Sequence, residues 1–171
     1  AVGARPTKLL SPDQLVSAVE DLTGFRWTYA GYEMLRSDTI GLRTLAGGAD
    51  GNTVTRNTTS PNTTIVLVHE RLAEAAASHV VATDAAEAVS ARRLFSEIDF
   101  TETPESGQDA MVAQIQHLHR RILGRSVGSD SEEVAANLEL WSALYDIEGE
   151  PVAAWAGLTA ALLRDPDFLL Y

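Results

Sequence analysis

The chain has 171 residues, which fits one domain at roughly 150 residues per domain and can bury about 70% of its unfolded surface. Thirteen lysines and arginines against 24 aspartates and glutamates give a net charge of −11; cysteine is absent and 45% of the residues are hydrophobic. These totals exclude a disulfide framework, a thiolate metal site, a cysteine nucleophile and a Cys-x-x-Cys-His haem attachment, argue against disorder, and make nucleic acid an unexpected partner.

Ser11-Pro12-Asp13-Gln14 is a capping box with proline at the first helical position, and Gly24 is a natural stop. A first helix is therefore predicted over residues 12–23, with Leu15, Val16, Val19 and Leu22 facing inward. Directly after it, Phe25, Trp27, Tyr29 and Tyr32 put four of the eleven aromatics into eight residues. Aromatics interleaved with arginine can stack on sugars or bases, and they can equally roof a small satellite core.

From Ser37 to Ser60 the chain holds Gly41, Gly47, Gly48 and Gly51 and then a Thr/Asn-rich run. So long a stretch without regular structure is uncommon in a compact domain and reads as a surface connection or a functional loop. A sugar or small-molecule site built here would use Trp27, Tyr29 and Tyr32, with Arg43 and Arg56 as polar groups. Asp50 and Asn52 offer oxygen ligands to calcium. Against an EF-hand, Val54 stands where the third ligand belongs and Pro61 where the bidentate glutamate would be. A glycine-dependent turn accounts for the same residues. Thr53-Val54-Thr55 is the one candidate for a short strand.

Ser60-Pro61 opens a long helix to about Ala82, with the stripe Ile65, Val68, Leu72 and Ala76, and Asp84-x-x-Glu87 predicts a restart running to about Glu97. Met111, Ile115, Leu118 and Ile122 mark another helix, stopped by Gly124. The pair Ser129-x-x-Glu132 is a capping box leading into Val134, Leu138, Trp141 and Tyr145, with Gly149 as the stop. A last helix over about 151–164 presents Val152, Trp155, Thr159 and Leu162 and is terminated by Pro166. The expected fold is all-α: a single domain over 1–171, a bundle of about six helices with a long irregular Gly/Thr/Asn-rich loop near 37–60. Its aromatic and glycine-rich first third, 1–60, is neutral, and the helical remainder, 61–171, carries the whole −11. The longest apolar stretch, Val152 to Leu163, is too short for the roughly 20 residues that span a bilayer.

The four histidines do not form an obvious metal site. His117 and His119 are two positions apart on a helix and point to opposite sides, His119 toward the buried stripe and His117 with Gln114 and Arg121 on the polar face. His69 and His79 are separated by about 15 Å along one helix. His69-Glu70 begins like a zinc-protease motif, but Ala73 occupies the second ligand position. Nucleophile elbows, phosphate-binding loops and dinucleotide turns are absent from the sequence, so a catalytic constellation is not indicated. Trp141 and Trp155 sit on apolar stripes and are expected in the core.

The chain closes with Phe168, Leu169, Leu170 and Tyr171, four apolar residues that must dock on the bundle or on a partner. Leu162-Leu163-Arg164-Asp165-Pro166-Asp167-Phe168-Leu169 resembles the Leu-Leu-x-x-Pro-x-Phe-Leu stretch of a broad group of large exported bacterial proteins of unknown function. Those proteins come from planctomycetes and myxobacteria and are often linked to cytochrome-c-like domains. The resemblance implies a helical domain of a periplasmic or surface protein and carries over no catalytic residues. The lack of cysteine departs from the cytochrome-bearing arrangement. With neither an initiator methionine nor a leader, the sequence is expected to have lost a signal or to be a piece of a longer chain. The expected function is that of a non-catalytic helical module acting in assembly or in binding a neighbouring domain or partner protein. The alternatives are a sugar- or small-molecule-binding domain and a calcium-stabilised domain.

Overall fold

The computed structural model describes residues 7–38, 41–50 and 54–171. Ser11 caps the first helix, α1 (Pro12–Thr23), through a complete capping box: its hydroxyl accepts from Gln14 N–H and the Gln14 side chain returns to the Ser11 N–H at 2.9 Å. Gly24 ends the helix in the left-handed conformation at φ 70°, which lets its N–H reach the Glu20 carbonyl. A two-stranded hairpin follows, β1 (Thr28–Tyr29) against β2 (Tyr32–Glu33), with Tyr29 opposite Tyr32. The 37–60 stretch is less irregular than its composition predicts, since it contains a one-turn helix, α2 (Leu42–Leu45). Val54 and Thr55 adopt no strand, and Thr53 lies outside the described residues.

The long helix α3 (Thr63–Ala86) starts later than Ser60-Pro61 implied, because Asn62 supplies the cap by accepting the Ile65 N–H at 3.0 Å. It also runs through Asp84 without a break. The predicted helix from Asp84 to Glu97 does not form; beyond Ala86 the described chain has only a 3₁₀ turn at Val89–Ala91 before an extended segment anchored by buried Leu94, Phe95, Ile98 and Phe100. Asp84 turns inward instead, and its carboxylate accepts the N–H groups of Arg93, Leu94 and Phe95.

Helix α4 (Gln108–Ile122) carries Met111, Ile115, Leu118 and Ile122 into the core as predicted. Gln114, expected on the polar face, is fully buried: its side chain donates to Leu94 O at 2.8 Å and accepts from Glu97 N–H, tying the extended segment to α4. The cap of α5 (Glu132–Glu148) is Ser131, whose hydroxyl accepts the Val134 N–H, so the start moves two residues from the predicted Ser129. Helix α6 (Pro151–Leu163) follows, and Pro166, three residues beyond its end, opens a further turn, α7 (Pro166–Leu169).

The architecture is mostly helical, as expected, with α6 packed between α3 and α5, α4 against α5 and α6, and α1 against α3. Seven helices are described, two of them single turns. Trp141 and Trp155 are both fully buried and meet at 5.6 Å between ring centroids. Among the described residues no helix is long and apolar enough to cross a membrane.

Candidate functional site

Four residues of the first turns of α3, Ile65, Val66, His69 and Glu70, fall at i, i+1, i+4 and i+5 and therefore share one face. The last turn of α6 presents Ala161 and Arg164 to them, and α7 closes the far side with Pro166 and Leu169. Between these helices lies a cleft of about 440 Å³, completed by Leu9, Pro61 and Leu170. That volume falls within the range of about 300–1,000 Å³ found for small-molecule sites, and the lining is mostly aliphatic.

The two ends of the described chain meet at this cleft. Lys8 and Tyr171 exchange both backbone hydrogen bonds, at 2.8 and 2.9 Å, and Leu10 N–H donates to Leu169 O at 2.9 Å. Leu9 thus pairs with Leu170 in an antiparallel bridge, while its own N–H donates to Thr59 O. The terminal segment is therefore docked on its own chain: Phe168, Leu169 and Leu170 are half-buried and Tyr171 is exposed. Arg125 pairs with Asp167 and helps to hold α7 in place. At the rim, Arg164 donates to Glu70 at 2.7 Å and ties α6 to α3. Val66 and Leu67, on the same turn, are more than half exposed.

His69 is the unusual wall residue. It is 3% exposed, and neither ring nitrogen has a hydrogen-bond partner among the described residues. Burial pushes its imidazole down to about 4 from an ordinary 6.5, so the ring is neutral at pH 7. Between pH 6.5 and 4 the unfolded chain binds a proton that the folded chain refuses. The stability tied to His69 is full above pH 6.5 and lost as the pH falls toward 4. Its expected contribution to that acid loss is about 3 kcal/mol. Burial also lowers His117 and His119, which adds loss of the same sign. Urea midpoints of the native chain and His69→Phe at pH 7 and pH 4.5 check this. The variant should show the smaller pH difference, and parallel curves would remove His69 from the account.

The residues singled out from the sequence fall elsewhere. Trp27 is half-buried and shares a gap of only about 10 Å³ with Val16, Val19, Phe25, Met34, Leu35 and Leu72, room for no more than one water. Tyr29 and Tyr32 are brought together as cross-strand neighbours and are exposed at 66% and 53%. Arg43 is committed to structure: its guanidinium binds Asp13 at 2.8 Å through two nitrogens and also donates to Leu35 O and Ala49 O. That pairing holds the Asp13 carboxyl below the usual carboxylate range. Arg56 is exposed. The neutral first third does not present a bare cationic face at α1 and the hairpin, because Arg26 and Arg36 both pair with Glu20 and Glu33.

Asp50 accepts the Val54 N–H at 2.8 Å, and its own N–H donates to Val54 O, which closes a turn; Asn52 lies outside the described residues. Among the described residues no three His, Asp or Glu side chains are grouped to hold a metal ion. His69, Glu70 and Arg164 were not singled out as a binding group from the sequence. The available signal was that His69 lies four residues after Ile65 and three before Leu72, on the buried stripe. Compared with known proteins, the chain matches no protein family, no curated protein and no solved structure.

Proposed function

We propose that this chain is a non-catalytic, mostly helical binding module of a larger exported bacterial protein, and that it binds through the cleft where its two ends join. One observation carries the reading: an aliphatic cleft of about 440 Å³, walled by α3, α6 and α7, with Val66 and Leu67 exposed on the turn beside it. Apolar surface gathered at a concave site marks a place where something else is bound. The resemblance of residues 162–169 to exported proteins adds support, because those residues form the end of α6 and α7 that wall the cleft.

The test is binding of Nile red, an uncharged dye that brightens in apolar surroundings. The native chain is expected to bind it saturably and one to one. Ala161→Trp places a large ring in the cleft and should weaken binding at least roughly tenfold while leaving the melting temperature within a few degrees. Equal binding by the filled variant would overturn the assignment.

A further inference from the structure

We propose that the cleft takes an uncharged amphiphile, an aliphatic body ending in a hydroxyl, and that the hydroxyl is recognised by His69; this rests on the cleft being the binding site. The argument begins with what His69 lacks. A neutral imidazole has one N–H donor and one nitrogen acceptor, and a buried polar group without a partner is costly. No protein group pairs either nitrogen, and both are shut off from bulk solvent. Because His69 forms part of the cleft wall, a partner for it has to come from the cleft's occupant.

The remaining walls define the rest of the occupant. Ile65, Leu9, Leu169 and Leu170 offer only apolar contact. The two charged wall residues, Glu70 and Arg164, neutralise each other at 2.7 Å. A carboxylate or ammonium ion entering this cleft would lose its hydration and meet no uncompensated opposite charge. A hydroxyl can both donate and accept, so it satisfies His69 in either tautomer.

The experiment compares 1-octanol, octanoate and octylammonium, three probes of one chain length, on the native chain at pH 7 by calorimetry and Nile red displacement. 1-Octanol is expected to displace the dye one for one, and the two ions to bind at least roughly tenfold more weakly. His69→Phe should bind the dye as the native chain does and 1-octanol roughly three- to tenfold more weakly. His69→Leu provides a second variant in case the first alters the fold, with a thermal melt as the check. Octanoate or octylammonium binding as well as the alcohol would overturn the inference, as would undiminished alcohol binding by folded His69 variants, which would mean that a water or nothing meets the imidazole. In both cases dye binding by the native chain leaves the cleft reading standing. Failure of the native chain to bind either dye or alcohol would overturn both.

Discussion

Asp84→Ala is expected to destabilise the fold by about 3–5 kcal/mol, seen as a fall in melting temperature of roughly 10 °C. The carboxylate accepts three successive backbone N–H groups, those of Arg93 at 2.9 Å, Leu94 at 2.8 Å and Phe95 at 3.0 Å. Leu94 and Phe95 are completely buried, so without Asp84 their N–H groups have no water to turn to. Each buried donor left unpaired costs about 1–3 kcal/mol. The segment they begin also holds the Gln114 bridge and the ring of Phe95, so the damage extends to the contact between α3 and α4. Asp84→Asn keeps one acceptor oxygen and turns an amide N–H₂ toward a backbone N–H. Its expected cost lies between that of alanine and the native chain. Chemical denaturation of the three proteins checks the order, and an alanine variant within about 1 kcal/mol of native would show that the segment finds other acceptors.

The same residue explains why the sequence misleads at this point. Asp84-x-x-Glu87 has the chemistry of a helix start because an aspartate that accepts N–H groups three residues on is an N-cap. Here it accepts N–H groups nine to eleven residues on, and residue order alone does not distinguish the two uses. Where the determining contact is local, the reading was close. Ser11, Gln14 and Gly24 set both ends of α1 within one turn of themselves, and Gly149 stops α5 at φ 75°. Period-3.6 stripes likewise brought Trp141 and Trp155 into the core.

Short elements escaped because they carry too few residues for a period. The hairpin strands are two residues each, although their turn is marked: Ala30 and Gly31 both have positive φ, 50° and 84°, as a type I′ connection requires. The cleft was hidden for a different reason. Its walls come from residues 9, 61–70 and 161–170, and the Glu70–Arg164 pair spans 94 positions. That His69 faces inward was legible from its place between Ile65 and Leu72. That nothing meets it there depends on neighbours contributed by the far end of the chain.

Trp155→Ala is the second substitution expected to cost about 3–5 kcal/mol, since it deletes the largest kind of side chain from a site that cannot close up. Trp155 is fully buried on α6, the helix that lies between α3 and α5. Its ring meets Phe95 edge-on at 5.8 Å and Trp141 at 5.6 Å, so it joins the extended segment to α5 through one aromatic cluster. Its indole nitrogen has no partner among the described residues. Trp155→Phe therefore discards a buried N–H that contributes no hydrogen bond, keeps an aromatic ring against Phe95 and Trp141, and leaves a smaller void. The expected cost is below about 2 kcal/mol. Thermal and urea unfolding of both variants separates shape from polarity. If phenylalanine proves as damaging as alanine, the indole N–H is hydrogen-bonded in solution and the cluster is held by that bond as well as by packing. If alanine proves as mild as phenylalanine, the helices around α6 close over the gap, and the core at this point is less rigid than a fully buried tryptophan implies.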